Sequence, residues 1–262
     1  MKTFSVMFAA FLLLAFSTQV VQAGETVRGS GRMAQETRPI KGIARVDLAT
    51  IGTLYIALGD KEELRVEAED NLLPYLLTAT EGDELKIKAR EDIELKPTQP
   101  VRFHLTVKKL NALSVSSAGN VEAGPIKAER FLLVVGSAGN VTLESLDAPE
   151  VAAMLNSAGN ATIKSLKARD LRVNINSAGG LTIESGEVEK QAVTQTSAGN
   201  YNAQGLKSRK AQALVNSAGS ATLWVTEALL ATVNSIGSLS YRGSPVVEEH
   251  ATSLGTIRKI DN

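Results

Sequence analysis

The side chains that could support chemistry are few and scattered. The sequence contains two histidines, His104 and His250, and no cysteine. The two histidines are far apart, and neither has a second candidate ligand at the spacing that metal sites use. We therefore predict no metal site, and we interpret both residues as surface or strand histidines.

Serine recurs in short Ser-x-Gly phrases that could suggest a nucleophile. A nucleophile elbow has the pattern Gly-x-Ser-x-Gly on a strand-to-helix turn, and this pattern is absent from the sequence. No base accompanies the serines, and no Gly-x-Gly-x-x-Gly phosphate loop opens a helix. The sequence thus predicts no catalytic residue and no cofactor, and it gives the serines a structural role.

The sharper enzyme hypothesis is polysaccharide cleavage, which needs clustered carboxylates or calcium-binding aspartates. Asp147 and Asp170 are the only aspartates between residues 111 and 240, and they occupy different repeat positions. The other charges alternate in sign from one repeat to the next, in the columns Glu144/Lys164/Glu184 and Asp147/Lys167/Glu187/Lys207. Opposite charges on neighbouring strands stabilise each other by about 0.2–1 kcal/mol. Pairing between repeats therefore explains these charges without catalysis.

The element that positions all these residues is a four-residue phrase that recurs every twenty residues. Its copies are Ser117-Ala118-Gly119-Asn120, Ser137-Ala138-Gly139-Asn140, Ser157-Ala158-Gly159-Asn160, Ser177-Ala178-Gly179-Gly180, Ser197-Ala198-Gly199-Asn200 and Ser217-Ala218-Gly219-Ser220. Two looser copies follow at a spacing of eighteen, Ser235-Ile236-Gly237-Ser238 and Ser253-Leu254-Gly255-Thr256. Self-similarity at a fixed short period indicates a stacked solenoid.

Apolar residues alternate with polar ones on both sides of this phrase, which indicates a strand before and a strand after each turn. A third apolar group leaves room for a third face: Ile126, Leu146, Leu166 and Leu206, with Phe131, Val151 and Leu171. Strands of successive repeats then stack in parallel at about 4.8 Å per rung. The sequence predicts an all-β fold, a right-handed parallel β-helix with rungs of about 20 residues. The spacing rules out a leucine-rich repeat, whereas a left-handed or flattened coil stays open.

The turn phrase itself has a structural interpretation. Glycine can take the positive φ that other residues avoid, and stacked Asn and Ser side chains can form hydrogen bonds along the ladder. Ile51-Gly52-Thr53 looks like an early, degenerate copy of this turn. We therefore expect turn glycines with positive φ and ladders of polar side chains.

The N-terminal 23 residues have the pattern of a signal peptide. After Lys2 the chain is apolar from Phe4 to Phe16, and Val21-Gln22-Ala23 forms a small-residue cleavage site. The alternative, an uncleaved anchor, would need about 20 apolar residues. Cleavage would leave 27 basic and 28 acidic residues, a formal charge of −1, which does not favour nucleic-acid binding. We expect an exported protein, periplasmic, secreted or at the cell surface, without a membrane span after cleavage.

Three segments organise the chain. Residues 1–23 form the signal peptide, residues 24–110 form β-rich initial rungs and an N-terminal cap, and residues 111–262 form the parallel β-helix repeats with a C-terminal cap. The cap is expected because an open end of a solenoid exposes unpaired backbone groups. Asn71 to Thr80 could be a short helix or a strand.

Several motifs together resemble a known family. These are Val27-Arg28-Gly29-Ser30-Gly31, Asn71-Leu72-Leu73-Pro74, Leu113-Ser114-Val115 before the Ser-x-Gly turns, and Tyr241-Arg242-Gly243-Ser244-Pro245. The chain is similar to the GIN-type auto-transporter adhesin head domains over nearly all of its length after residue 23. The resemblance implies an exported bacterial right-handed parallel β-helix with no established activity. Ser-Ala-Gly-Asn stands here where the family often has Ser-Gly-Ser-Gly, and no translocator barrel is included in the chain.

A ligand, if one binds, is expected on an uncharged side of the coil. The windows 133–142, 153–162, 173–182, 193–202 and 213–222 contain no charged residue. Their outward positions form two columns, which we call the asparagine column, before the turn, and the threonine column, after it. The asparagine column is Asn156, Asn176, Thr196 and Asn216, and the threonine column is Thr142, Thr162, Thr182, Asn202 and Thr222. An array of hydroxyl and amide groups could bind a neutral glycan or cell-surface polymer, although strand and ladder propensity alone would also explain these residues.

Three classes of function stay open at this point. The first is a non-enzymatic adhesion or glycan-binding module of the cell envelope, and the second is a structural or assembly component of the envelope. The third is a carbohydrate-active enzyme on a β-helix. A fold alone does not separate them, and the sequence does not indicate an oligomeric state.

Overall fold

A computed structural model describes residues 25–176 and 178–261. The predicted signal peptide lies outside the described residues. Among the described residues the chain is built of β-strands, with one short 3-10 helix, Leu73–Tyr75. Segment 71–80, which the sequence left open between a helix and a strand, contains both: the 3-10 helix is followed directly by a strand, Leu76–Glu81.

The strands fall into an N-terminal group and a repeated group. The first nine are β1 (Glu25–Arg28), β2 (Met33–Arg38), β3 (Arg45–Ala49), β4 (Thr53–Leu58), β5 (Glu63–Glu69), β6 (Leu76–Glu81), β7 (Glu84–Ala89), β8 (Ile93–Lys96) and β9 (Arg102–Val107). The repeated strands are β10 (Ala112–Val115), β11 (Asn120–Lys127), β12 (Arg130–Val135), β13 (Asn140–Asp147), β14 (Glu150–Leu155), β15 (Asn160–Ile163), β16 (Leu166–Ile175), β17 (Gly180–Ile183), β18 (Gly186–Gln195), β19 (Asn200–Val215), β20 (Ser220–Val233), β21 (Ser238–Arg242), β22 (Val246–Ala251) and β23 (Thr256–Lys259).

Parallel pairing between successive repeats builds a β-solenoid of about seven turns with rungs of roughly 20 residues. Residues twenty apart are direct neighbours, as in Val121↔Val141 and Leu133↔Ala153. The later spacing of eighteen arises in β20, where Lys207 pairs with Trp224 and Lys210 with Ala228. This shortening lies away from the turn, so the turn columns stay in register. The predicted all-β parallel β-helix is confirmed.

Inward-facing apolar columns fill the coil. The columns before and after the turn are buried, for example Leu133, Ala153 and Val173, and the third group is buried as well. Its members Ile126, Leu146 and Leu166 are each at most 3% exposed. Three apolar columns therefore enclose one continuous core along the coil axis.

Two polar side chains stand in these apolar columns and form buried hydrogen bonds. Gln191 accepts from the Tyr201 hydroxyl (2.9 Å) and donates to Ser208 Oγ (2.7 Å). Gln195 is fully buried and donates to the carbonyl oxygens of Gly199 and Ser220, at 3.0 Å each. Burial raises the pKa of Tyr201, so its hydroxyl remains a neutral donor. The core of the last third of the coil is thus partly polar, but its donors have partners.

The first rung is threaded out of sequence order. Strands β3 and β4 pair on one side with the later strands β7 and β9, and on the other side with β10 and β11. Thr53 pairs with Asn120, and the Asn120 amide donates to the Gly52 carbonyl oxygen (2.8 Å). Gly52 has φ +107°. The predicted early copy of the turn at Ile51-Gly52-Thr53 is therefore confirmed.

Antiparallel strands cover the N-terminal end of the coil. β5 pairs with β9 and with β2, and β6 pairs with β7. The fully buried carboxylate of Glu69 accepts hydrogen bonds from the Gly31 amide (2.6 Å), the Thr98 amide (2.8 Å) and the Thr98 hydroxyl (2.5 Å). Burial acts to raise the pKa of Glu69, but these hydrogen bonds and a weaker one from the Gln99 amide keep it below its usual value. The ionised side chain of Glu69 thus connects the loops at Gly31 and Thr98 by hydrogen bonds.

The explanation we gave for the repeated turn glycines is wrong. Gly139 does not have a positive φ; instead, a Cβ at this position would lie 2.5 Å from Val115 Cγ1 and 2.8 Å from the Gly119 carbonyl oxygen. Glycine is required there because successive rungs approach each other closely. Positive φ occurs at the serines of the last three turns, Ser217 (61°), Ser235 (64°) and Ser253 (58°).

The predicted charge columns are in register but do not form the ion pairs we expected. Asp147 pairs with Lys167, and Lys167 with Glu187, yet within the described residues no ion pair under 4 Å joins either predicted column. Other ion pairs do form in the coil, for example between Arg130 and Glu150 (3.2 Å) and between Arg169 and Asp170 (2.7 Å). Long exposed side chains keep several rotamers, so register alone does not fix their contacts.

Candidate functional site

The asparagine column forms an internal ladder of hydrogen bonds. Asn176 Nδ2 donates to Asn156 Oδ1 (2.9 Å), and Thr196 Oγ1 donates to Asn176 Oδ1 (3.4 Å). The ladder continues past the predicted residues, because Asn234 Nδ2 donates to Asn216 Oδ1 (2.7 Å). These side chains therefore stabilise the stacking of rungs, and each of Asn156, Asn176 and Asn216 already uses its oxygen in the ladder.

The threonine column differs from the asparagine column. Its members pair in unbroken register, Thr142↔Thr162, Thr162↔Thr182, Thr182↔Asn202 and Asn202↔Thr222. All five are half-buried. In the described part of the chain the hydroxyls of Thr142, Thr162, Thr182 and Thr222 form no hydrogen bond, and Asn202 Oδ1 only accepts a long one from the Gln204 amide (3.4 Å). The column presents free hydroxyls at intervals of about 4.8 Å from Thr142 to Thr182, and Asn202 lies between these and the hydroxyl of Thr222.

Charged residues border the threonine column on the strand side and at both ends. The positions two residues after Thr142, Thr162 and Thr182 are occupied by exposed charged residues: Glu144 on β13, Lys164 just after β15 and Glu184 just after β17. The column itself also becomes charged at both ends, because Thr142 pairs with Glu122, and Thr222 pairs with Ser240, which in turn pairs with Arg258. The candidate site is thus a single neutral column that is several rungs long. The turn lies between it and the asparagine column.

An aromatic pair lies beyond Glu122, and sequence analysis missed it. Tyr55 pairs with Glu122, and its ring stacks on the His104 ring with centroids 5.2 Å apart and planes 15° from parallel. His104 Nε2 lies 3.5 Å from Glu67 Oε2. The early copy of the turn could have placed Tyr55 in line with the threonine column. Tyr55 comes two positions after Thr53 of that copy, just as Thr142 comes two positions after Asn140 of a regular copy.

Among the described residues, the histidines and serines are not arranged as a catalytic group. His250 Nε2 lies 3.1 Å from Glu248 Oε1, and no group of three or more potential metal ligands stands together in residues 25–176 and 178–261. Serine hydroxyls of the turns donate to the preceding rung: Ser137 Oγ to the Ser116 carbonyl oxygen (3.0 Å) and Ser197 Oγ to that of Asn176 (3.2 Å). Ser217 Oγ likewise donates to the Thr196 carbonyl oxygen (3.3 Å), so in these three phrases the serine serves rung stacking, as the repeat predicted. Ser177 lies outside the described residues.

A capped β-solenoid with regular columns of polar side chains on its outer surface defines the class of this protein. Its sequence matches the family described as "Putative auto-transporter adhesin, head GIN domain" over residues 44–245. The chain belongs to this family, so the resemblance inferred from the motifs is confirmed. Search of curated proteins found no match.

Solved bacterial structures share the fold. A "putative adhesin" from Parabacteroides merdae superimposes with a TM-score of 0.85 at 18% identity, covering 91% of this chain and 100% of its own. A "putative adhesin" from Parabacteroides distasonis gives 0.85 at 20% identity, with coverage of 90% and 100%. A "putative lipid binding protein" from the same species gives 0.83 at 22% identity, also with coverage of 90% and 100%. At these identities the likeness concerns the fold. No helix in the described residues is long and apolar enough to cross a bilayer.

Proposed function

We propose that this protein is an exported, non-enzymatic, adhesin-like module that binds a neutral glycan or another uncharged cell-surface polymer along the threonine column. Membership of the adhesin head family supports an adhesin-like role at the envelope or surface. The apolar segment Phe4 to Phe16 and the Val21-Gln22-Ala23 site support export. No cofactor or metal is part of this proposal.

The observation that carries the proposal is the difference between the two columns. The asparagine column directs its amides and hydroxyls toward one another, whereas the threonine hydroxyls point to no partner within the described chain. A hydroxyl can both donate and accept, so a row of them can match the hydroxyls of a sugar chain. Each hydrogen bond contributes only about 0.5–1.5 kcal/mol, so useful affinity requires several rungs to bind one polymer together.

The two alternative functions are less well supported. A glycan-cleaving enzyme would need two free carboxylates facing one sugar, but Glu150 and Asp170 are both bridged by Arg169, at 3.3 and 2.7 Å. The hydrogen bond and charge of Arg169 lower the pKa of Asp170, which is the opposite of what a general acid requires. A purely structural role in the envelope would need only the strand propensity of the threonines, and it would not use their free hydroxyls.

Replacement of two threonine hydroxyls tests the proposal. The purified protein is screened against neutral and charged glycans, and the Kd of any hit is measured for the parent and for the double variant T182V/T222V. Valine keeps the shape and strand preference of threonine and removes only the hydroxyl. With two hydrogen bonds of about 0.7 kcal/mol each lost, we expect binding to weaken roughly tenfold.

The matched control is T194V/T232V. Both residues are half-buried threonines on the strands before the turn, outside the threonine column. We expect this control to bind like the parent. Equal losses in the two double variants, or selective binding of charged glycans that neither variant affects, would contradict the proposed site.

A further inference from the structure

A second surface feature lies away from the threonine column, at the corner between β11 and β12. It is an open cleft of about 1120 Å³, which we call the corner cleft. Its lining residues are Lys109, Asn111, 127–132, 149–152, Asp170 and Arg172. Its volume slightly exceeds that of typical small-molecule pockets, which are about 300–1,000 Å³.

Positive charge is in excess in the corner cleft. The carboxylate of Glu150 is shared by Arg130 (3.2 Å) and Arg169 (3.3 Å), and that of Asp170 is bound by Arg169. Three further cations of the lining, Lys109, Lys127 and Arg172, form no ion pair under 4 Å among the described residues, and only one carboxylate, Glu129, is similarly unpaired. The cleft can therefore accept an anion without breaking an existing ion pair.

Apolar surface leads out of the same cleft along neighbouring strands. Leu132 and Met154 are 37% and 39% exposed, among the more exposed large apolar side chains of the described chain. Leu132 pairs with Ala152, and Met154 pairs with Val134. These four residues form one contiguous apolar patch on β12 and β14. Contiguous apolar patches on a soluble domain commonly mark a binding surface.

We propose that the corner cleft binds a single-chain anionic amphiphile, with its carboxylate or phosphate group at Lys109 and Lys127. Its hydrocarbon chain would extend over Leu132, Ala152 and Met154. Arg172 lies at the opposite side of these apolar residues, because the register Leu132↔Ala152↔Arg172 places it two rungs from Leu132. A neutral glycan fits neither half of this surface, because it would leave the cations without a partner and would cover apolar side chains with hydroxyls. This binding site is separate from the threonine column and does not depend on the function proposed for it.

The test titrates the purified protein with decanoate below its micelle concentration, by calorimetry. Decyltrimethylammonium, with the same chain length and the opposite charge, serves as the second probe. We expect saturable binding of decanoate at one site and at least tenfold weaker binding of the cation. The proposal is overturned if decanoate does not saturate or if both probes bind equally.

Variants separate the two halves of the cleft. K109Q/K127Q removes charge and L132T/M154T removes apolar surface, and we expect each to weaken decanoate binding at least tenfold. The controls are K210Q, at an exposed lysine of another column, and L77T, at a leucine of the cap that is 36% exposed. All replaced side chains are exposed or half-exposed, so we expect every variant to stay folded. A thermal melt of each variant checks this.

Two further outcomes would also overturn the proposal. One is a decanoate affinity that responds to the control variants as strongly as to the cleft variants. The other is a concentration-dependent dimer that L132T/M154T dissociates, with no decanoate binding, since the patch would then contact a second copy of the chain. T182V/T222V should leave decanoate binding unchanged, so failure here and failure at the threonine column are distinguishable.

Discussion

The cap and the coil of this protein are stabilised in different ways. In the coil each rung repeats the contacts of the one before, through parallel pairing and ladders such as Asn176 on Asn156. In the cap, antiparallel strands from distant parts of the sequence meet, and single side chains make several unrelated contacts. Glu69 binds loops at residues 31 and 98, and Arg38 donates to the carbonyl oxygens of Leu73 (3.1 Å) and Leu76 (2.5 Å).

The difference teaches where each region is vulnerable. A repeated region spreads its stability over many similar neighbour contacts, so losing one full repeat leaves the other contacts intact. A cap held by a few polar side chains loses much of its support when one of them changes. Each of the following predictions tests one side of this contrast.

The largest expected effect separates a whole-repeat deletion from a half-repeat deletion. Deleting Ser137 through Asn156 joins Gly136 to Ser157 and keeps every column in register, so we expect a folded protein whose melting temperature falls by only a few degrees. Deleting Ser137 through Leu146 places a turn against strands and misaligns the columns. We expect this variant to lose about 5 kcal/mol or more, enough to unfold many domains. Similar thermal melts for the two deletions would contradict the repeat.

Glu69→Gln should loosen the cap and leave the coil folded. An amide has one acceptor oxygen and brings its own donors, so the Gly31 and Thr98 donors lose partners. Hydrogen exchange should become faster in residues 25–38 and 97–100 but stay slow in the coil. Glu81→Gln, at an exposed carboxylate of the cap, is the control. Equal protection of the cap in both variants would show that Glu69 does not fasten it.

The pH dependence of this variant has a defined sign. Because the pKa of Glu69 is lowered in the folded protein, its ionised form stabilises the cap above the ordinary glutamate pKa of about 4.3. That contribution disappears as the pH falls through the lowered value. The stability difference between parent and Glu69→Gln should therefore be full at pH 7 and shrink progressively below about pH 4.3.

Two glycines of the coil should respond in opposite directions. Gly139→Ala inserts a Cβ 2.8 Å from the Gly119 carbonyl oxygen, and such overpacking costs about 1–3 kcal/mol. Gly180→Asn restores the residue that other repeats have, and the nearest atom to its Cβ is the side-chain oxygen of Asn160 at 3.2 Å, which can move. Replacing a strand glycine should gain about 0.5–1 kcal/mol. Urea unfolding of both variants measures these changes, and a stabilised Gly139→Ala would disprove the close-packing explanation.

The smallest effects compare the two columns. Asn234→Ala removes a donor to Asn216 (2.7 Å) and an acceptor from Thr252 (3.0 Å), so we expect a loss of about 0.5–1.5 kcal/mol. Thr162→Val removes a hydroxyl without an internal partner and should change stability by less than about 0.5 kcal/mol. A loss as large for Thr162→Val as for Asn234→Ala would mean that the threonine column also serves stacking.

The coil could be predicted from the sequence because its contacts repeat at a fixed spacing. The period of twenty residues defines the neighbours of Val121 and Thr142 without further information. The threading of the first rung could not be predicted in this way, because β3 and β4 pair with strands from two different later segments and no period relates them. The hydrogen bonds of Glu69 and Arg38 could not be predicted for the same reason, because their partners are about 30–40 residues away in sequence.

Chemical detail within the repeat was only partly predictable. Ladder bonds of Asn and the stacking role of serine follow from residue type and register, and the structure shows both. The reason for Gly139 did not follow, since a sequence does not show whether a glycine serves a φ angle or a close contact. The ion pairs could not be predicted either. Asp147 and Lys167 are in register but their exposed side chains do not meet, whereas Arg169 forms an ion pair with the adjacent Asp170. Which of the two polar columns has free hydroxyls likewise depends on atomic geometry.

The out-of-order first rung constrains the order in which the protein can fold. A chain that leaves the ribosome or a translocation channel N-terminus first presents β3 and β4 early, but their partners extend to residue 123. Until that residue has emerged, one edge or both edges of the β3–β4 rung remain open. Folding of the first 123 residues is therefore expected to be a single late event, whereas each later rung can add as soon as its own twenty residues appear. A chaperone that protects unpaired strands would be needed mainly for this first segment.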